Sequence, residues 1–207
     1  MSERIPLDLM EPAAVRKRAR TVGIGALIVA AAFGGLLGLL AGRTAGVVAA
    51  AVVGVPLLLL AWSEARRRVW LEGHVLSVRA FGTRSVDLRT ADQLDLLVTD
   101  MRGSRTVGLF VRGGGKAINL ALAVYAGVGG REQGVFGLRK LADVLAGRGD
   151  APGLVFSELL VAQLRAEARG LAAADRPLYQ LGSLAPSGRL AQKLNPDAIS
   201  RFVSTLD

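Results

Sequence analysis

The chain has 207 residues, a formal net charge of +9, no cysteine, and 51% hydrophobic residues against only 5% aromatic. A mean hydropathy of +0.40, carried by Ala, Leu and Val, excludes a disordered basic tail. Without Cys there is no disulfide framework, no cysteine-ligated zinc or iron–sulfur centre and no thiol catalysis.

Residues 21–42 read TVGIGALIVAAAFGGLLGLLAG and residues 44–62 read TAGVVAAAVVGVPLLLLAW, both without a charge, separated by Arg43 alone. A membrane-spanning helix needs about 20 apolar residues, so the pair predicts a transmembrane hairpin. The competing reading, a buried hairpin in a soluble protein, needs a domain large enough to cover both runs. A cleaved signal peptide fits poorly, because a second apolar run follows the first. Arg16, Lys17, Arg18 and Arg20 precede the hairpin and Arg66, Arg67 and Arg68 follow it, against the single Arg43 in the turn. By the positive-inside rule these residues set both ends in the cytoplasm, so residues 1–20 are expected to form a basic cytoplasmic segment in a multi-pass protein of the cell membrane. Trp62 and Trp70 stand near the expected inner boundary, where indoles favour the headgroup layer; Trp70 equally suits the core of the following domain.

Gly34, Gly38 and Gly42 recur every four residues on the first helix, and Gly46, Ala50 and Gly54 do so on the second. Such faces let backbones approach closely. They predict packing within the hairpin, with a dimerisation seam between two copies as the alternative, so a homo-oligomer stays open. Neither run holds an ionisable side chain, leaving no residues for an ion or proton path. Pro56 is expected to kink the second helix.

The basic excess is concentrated at the hairpin. Residues 1–68 hold 9 basic and 4 acidic side chains, residues 69–130 hold 7 and 5, and residues 131–207 hold 10 and 8. The part outside the hairpin is nearly balanced, so nucleic acid is not an expected partner. Arg outnumbers Lys 22 to 4, a bias that a GC-rich coding background produces as readily as phosphate recognition does.

After Arg68 short alternating segments predict strands over 69–72, 75–81, 85–89, 94–99, 105–112 and 116–123. A three-residue Gly82–Arg84 loop places Leu76, Val78 and Ala80 opposite Thr90, Leu88 and Val86, which puts the apolar residues on one face. A helix over 132–146 follows, with Val135, Leu138, Leu141, Val144 and Leu145 as its stripe. Asp150 to Gly153 reads as a linker, and a second helix over 154–169 presents Phe156, Leu159, Leu160 and Leu164. Residues 175–186 read as irregular. Asn195 as N-cap, Pro196 at the first helical position and Asp197 in the first turn predict a last helix over 196–205.

This order of parts resembles the bacterial pleckstrin-homology-like (PH-like) membrane proteins. The local likeness lies in HVLSVRAFGTRSVDLRTADQLDL, residues 74–96, and continues weakly through RTVGLFVRGGGKAINL, residues 105–120; it covers residues 21 to about 146. The resemblance implies a bent, barrel-like β sandwich over 69–148 capped by a helix, acting as a binding or assembly module without chemistry of its own. Residues 149–207 depart from the family layout and form a helical C-terminal extension. The expected class is therefore an α+β membrane protein: a transmembrane hairpin, then an antiparallel PH-like domain with a closing helix and further C-terminal helices.

Candidate sites are few. Arg112-Gly-Gly-Gly-Lys116 lacks the first Gly and the Ser or Thr of a phosphate loop, because Phe110 and Ala117 occupy those places, so it reads as a hairpin tip. Asp92, Asp95 and Asp100 lack the spacing of a calcium loop and read as solvated strand ends. His74, the one histidine, reads as a turn residue rather than a zinc ligand. No Gly-x-Ser-x-Gly motif is present. No catalytic residue, cofactor or metal is expected. The expected partners are the lipid bilayer and a protein docked on the cytoplasmic domain, making the chain a non-enzymatic adaptor. Two alternatives remain: a sensor of anionic lipid through Arg84, Arg105 and Arg112, and an accessory subunit of a membrane transporter.

Overall fold

The structure, a computed structural model, describes residues 3–10, 12–80, 82–101, 103–185, 191–194 and 196–205, and for Pro12, Ala13, Arg18, Glu64 and Pro196 the backbone alone. It is a mixed α+β protein with two long apolar helices near the N-terminus and two antiparallel sheets. The chain divides into two compact units. One holds the residues up to Leu9, Arg68–Val78 and Thr83 onward; the other holds Met10–Arg67 and Arg79–Gly82.

The helical unit is built from α1 (Pro12–Ala41) and α2 (Arg43–Arg66). Helix α1 begins nine residues before the uncharged run and carries Arg16, Lys17, Arg18 and Arg20 in its first turns, because Arg and Lys are good helix formers. Helix α2 continues through Pro56 and ends at Arg66, with Arg67 just beyond it. The Arg66 guanidinium lies 4.2 Å from the centre of the Trp62 ring.

The faces of small residues meet each other. A Cβ on Gly34 would come within 2.6 Å of the Ala50 Cβ, and one on Gly46 within 2.6 Å of the Gly34 carbonyl oxygen. Gly38 faces the Gly46 Cα, and Gly54 faces Ala30. Gly42 is a correction to the expected packing row. It is the turn residue, at φ 88°, with open space around its Cα, and it takes the left-handed conformation that lets the chain reverse into Arg43.

In the β unit, the first sheet has the order β1-β2-β3-β4, with β1 at Arg4–Pro6, β2 at Arg68–Glu72, β3 at Val75–Arg79 and β4 at Thr83–Asp87. Strand β1 corrects the reading of residues 1–20 as a bare basic segment. It pairs antiparallel with β2, Ile5 opposite Leu71, and buries Leu7 to 2% exposure. The Leu7 amide donates to the Val69 carbonyl at 2.9 Å and the Val69 amide to the Asp8 carboxylate at 2.9 Å. The sequence conceals this strand because it is three residues long and its partner lies beyond both helices.

The β3–β4 hairpin keeps the expected face but not the expected partners. Hydrogen bonds from the Leu88 amide to the His74 carbonyl and between the Ser77 and Ser85 hydroxyls, both 2.9 Å, set His74 opposite Leu88 and Ser77 opposite Ser85. The same pairing brings the Ala80 amide to the Gly82 carbonyl at 3.1 Å, so Gly82–Arg84 is not the loop. An even shift in register leaves every side chain on its own face, so Leu76, Val86 and Leu88 are still buried together.

The second sheet has the order β8-β7-β6-β5-β9, with β5 at Gln93–Met101, β6 at Ser104–Gly113, β7 at Lys116–Ala126, β8 at Gly129–Glu132 and β9 at Gln192–Lys193. Gly113 pairs with Lys116 across a two-residue Gly114–Gly115 turn at φ 57° and 72°, the geometry only glycine adopts freely, so this segment is the expected hairpin tip. Even positions of β5 (Leu94, Leu96, Val98) and odd positions of β6 (Val107, Leu109, Val111) are buried. Strand β7 buries Ile118, Leu120 and Leu122, then switches parity. A β-bulge shifts the pairing from Gly108–Ala121 to Val107–Ala123, so Ala123 and Tyr125 take over the inward face.

Helix α3 (Val135–Ala146) starts three residues later than predicted because Gly129–Glu132 joins the sheet as β8. Leu138, Leu141, Val144 and Leu145 are buried as expected, whereas Val135 is exposed in the first turn. Helix α4 (Ala151–Ala168) begins where a linker was expected: Asp150 is its N-cap, its carboxylate accepting from the Gly153 amide at 3.0 Å. The Arg148 guanidinium holds that carboxylate, donates to the Ala91 carbonyl at 3.1 Å and also bonds the Leu88 carbonyl. Its hydrogen bond keeps the Asp150 carboxyl below the usual carboxylate range. Asp150→Ala should cost about 1 kcal/mol in chemical denaturation at neutral pH. In the native protein this contribution is complete above about pH 4 and fades as the pH falls through the lowered value; an Ala variant whose stability loss is the same at pH 7 and pH 2.5, bounds chosen at roughly one to three units around that range, would refute it.

Residues 175–184 are not irregular, and Pro186, the end of that expected segment, lies outside the described residues. A 3-10 turn (Ala173–Asp175) leads into α5 (Pro177–Leu184), with Pro177 in the first turn and Leu178 and Leu181 buried. Helix α6 (Pro196–Val203) lies in the expected segment; its expected cap, Asn195, falls outside the described residues. Phe156, Leu159, Leu160, Leu178, Leu181, Ile199 and Val203 join the same core cluster as both sheets.

Candidate functional site

Antiparallel pairing places Asp100 on β5 opposite Arg105 on β6, and Arg105 opposite Tyr125 on β7. Asp100 shares the parity of Leu96 and Val98, and Arg105 that of Val107 and Leu109. The three side chains thus form one polar row on the core-facing side, just beyond the apolar row of Val98, Val107 and Ala123. The Arg105 guanidinium bonds the Asp100 carboxylate through Nη2 at 3.2 Å. Its Nε–H is shielded from solvent and has no hydrogen-bond partner among the described residues. An unmet buried donor typically costs about 1–3 kcal/mol.

Helix α5 covers this row. A Cβ on Gly182 would meet Val107 at 2.9 Å and the Arg105 Cδ at 3.5 Å, so only glycine lets α5 lie this close to β6. Tyr179, from the same helix, meets Tyr125 edge-on with ring centres 5.0 Å apart, bringing together both tyrosines of the chain. Beside this pair lies a pocket of about 180 Å³ lined by Asp100, Gly103, Arg105, Tyr125, Gly127 and Tyr179.

A second polar layer braces it. The Tyr125 hydroxyl donates to Glu132 at 2.7 Å, and Arg176, the N-cap residue of α5, donates to the other Glu132 oxygen at 2.5 Å and to the Leu171 carbonyl at 2.9 Å. Burial and then the bond to Glu132 push the Tyr125 phenol far above its ordinary value, while the Glu132 bond raises Arg176. A phenol kept neutral in the fold but free to ionise near pH 10 when unfolded stabilises the fold below that pH and progressively fails to above it. In Tyr179→Phe, where Tyr125 is the sole tyrosine, tyrosinate absorbance should therefore appear only together with alkaline unfolding; its appearance in folded protein near pH 10 would contradict the burial of this hydroxyl.

Of the three residues expected to touch lipid, the structure keeps two on the surface. Arg84 is exposed on β4, and Arg112 is exposed with its guanidinium 5.7 Å from the Phe110 ring centre. Arg105 is corrected: it is half-buried, ion-paired and inward-facing. Arg105 and Arg112 also stand seven residues apart on one strand, roughly 24 Å, with opposite parity, so the three do not form one patch. Asp95 is a second correction. It is buried, accepting from Lys193 at 2.7 Å and from Gln93, which ties β9 to β5, and is no solvated strand end. His74 stands at the β2–β3 turn, 3.2 Å from Asp87. No cluster of three or more metal-ligating side chains occurs among the described residues.

The sequence singles out Arg105 as a possible lipid contact and gives no sign of its pairing with Asp100 or of Tyr125, Glu132, Arg176 and Tyr179 around it. The usable signal was parity: Arg105 continues the inward series Val111, Leu109, Val107. Comparison with protein-family models, curated proteins and solved structures found no match.

Proposed function

We propose that this chain is a membrane-anchored, non-enzymatic adaptor or scaffold, with a cytoplasmic PH-like domain that docks a protein partner. The observation that carries the reading is the environment of the two helices. Ala14–Ala41 and Arg43–Ser63 are long and apolar enough to span a bilayer, yet only 17% of each apolar window is buried. Leu39 is 88% exposed and Leu40 76%, where a core helix of a soluble protein would be covered. Strand β1 adds support: the chain leaves the β unit at Leu9 and re-enters it at Arg68, as a hairpin with both ends on one side of a bilayer requires. The seven flanking basic residues favour the cytoplasm for that side.

The PH-like reading draws on strands β2 to β8, seven antiparallel strands in two sheets followed by helix α3. The chain departs from that plan by adding β1, β9 and helices α4 to α6. The inward, ion-paired position of Arg105, away from Arg112, weighs against the lipid sensor, and the mutual packing of the small-residue faces weighs against reserving them for a transporter subunit.

Single cysteines in this Cys-free chain test the topology. Thr44→Cys should react with a membrane-impermeant maleimide in intact cells, while Thr90→Cys and Ser183→Cys, both exposed, should react only after lysis. The reverse pattern, or labelling of all three in intact cells, would defeat the proposal.

A further inference from the structure

We propose that the start of α3 rests on the membrane surface from which the hairpin enters, with Phe136 seated among anionic lipid headgroups and Arg131, Arg139 and Lys140 around it. This rests on the membrane-spanning reading of α1 and α2, and adds a second, non-spanning contact made by the β unit. Phe136 is 83% exposed, more than any other large apolar side chain described outside the two long helices, and its neighbour Val135 is 46% exposed. Helix α3 is held to the core by Leu138, Leu141, Val144 and Leu145 on its inner face, so the Phe136 ring contributes nothing to that packing.

Place and charge together select a lipid surface as the occupant. A Cβ on Gly137 would meet the Leu7 Cδ2 at 2.7 Å, and Gln133, just before α3, donates to the Leu7 carbonyl at 2.7 Å. Leu7 is itself bonded to Val69. Val69 follows Arg66, the last residue of α2, by three residues, and Leu7 precedes Pro12, the first of α1, by five. A chain spans at most about 3.6 Å per residue, so Val69 stands within roughly 11 Å of the end of α2. The first turn of α3 is thus packed on the residue pair to which both hairpin helices are tethered. Arg139 and Lys140 follow Phe136 by three and four residues, on its side of the helix, and Arg131 and Arg139 are exposed. Between residues 128 and 142 the only acid is Glu132, whose carboxylate turns inward to Tyr125 and Arg176; the next, Asp143, lies two turns beyond Phe136. An exposed ring among long basic side chains suits a headgroup boundary, where the ring enters the apolar edge and the cations reach phosphates. One ring and three cations hold a bilayer weakly by themselves, but the short tether makes the contact intramolecular. The contact therefore orients the β unit at the surface and does not recruit it there.

The test uses the full chain reconstituted in vesicles of phosphatidylglycerol and phosphatidylcholine, with a single tryptophan read against lipids brominated at a shallow or a deep acyl position. Trp62→Phe and Trp70→Phe clear the background. Phe136→Trp places the reporter at the site, Phe33→Trp on the exposed face of α1, and Thr90→Trp past the Leu88–His74 bond, at the end of β2 away from Val69. Shallow bromines should quench Phe136→Trp several-fold more than Thr90→Trp, and deep bromines should quench Phe33→Trp. Changing Arg131, Arg139 and Lys140 together to Gln, or omitting phosphatidylglycerol, should lower the quenching at Phe136→Trp several-fold. If Phe33→Trp is quenched and Phe136→Trp no more than Thr90→Trp, the proposal is overturned and the hairpin reading stands; a blue-shifted but unquenched Phe136→Trp, the sign of a protein covering the site, counts the same way. No quenching of Phe33→Trp overturns the spanning reading and this proposal with it. Quenching at Phe136→Trp that ignores both the Gln substitutions and the lipid charge overturns the assignment to anionic headgroups.

Discussion

Replacing Gly46 with leucine should separate α1 from α2 and cost the helical unit about 3 kcal/mol or more. The reason is which atoms the new side chain meets. A Cβ at this position would lie 2.6 Å from the Gly34 carbonyl oxygen and 2.7 Å from the Gly38 Cα. Both are backbone atoms, so no rotamer change relieves the overlap and the helix axes must move apart. That movement forfeits the dispersion contacts of the whole seam, and in the apolar interior of a detergent micelle no hydrophobic term opposes it. Gly35→Leu is the matched control, because a Cβ there meets nothing within 4 Å. Thermal unfolding in mild detergent, followed by helical circular dichroism, should show a large loss for Gly46→Leu and little change for Gly35→Leu. Equal melting of the two variants would mean that the seam does not hold the hairpin together.

Truncating Leu7 to alanine should destabilise the β unit by about 2–5 kcal/mol, the usual cost of emptying a fully buried leucine site. Leu7 is only 2% exposed and lies in the same cluster as Val69, Leu71 and Leu138. Its amide and carbonyl are both used, the carbonyl accepting from the buried Gln133 side chain at 2.7 Å, so the segment is held by backbone as well as by packing. Val135→Ala, at an exposed position, should change stability by no more than about 0.5 kcal/mol. Denaturation followed by Trp70 fluorescence in a Trp62→Phe background isolates this unit. A Leu7→Ala variant that unfolds like the parent would show that the first strand is dispensable. The same result bears on fragment design, because a piece starting at residue 69 lacks β1 and leaves a groove beside β2.

The sequence by itself determined whatever depends on local pattern. Two long uncharged runs define two helices because backbone polar groups in such runs have no better partner than their own helix. Strict alternation in β5, β6 and the first part of β7 assigns Leu96, Val107, Leu109 and Leu120 to one buried face, since side-chain direction in a strand repeats every two residues. Leu138, Leu141 and Leu145 likewise follow from helical spacing, and Gly113–Gly115 as a tip from the need for left-handed backbone.

Tertiary structure decided what depends on partners distant in sequence. Strand β1 exists because β2, beyond two helices, supplies its hydrogen bonds; three residues alone do not form a strand. The β3–β4 register slipped by an even number of residues, a change that hydrophobic patterning does not register. The polar cavity is the clearest case. The alternation Ile118, Leu120, Leu122 points Tyr125 away from the core, and only the bulge opposite Val107 and Gly108 turns it inward to stand beside Arg105. One residue inserted into a ladder reverses every side chain after it, and its position is chosen by the pairing of two strands, not by either strand alone.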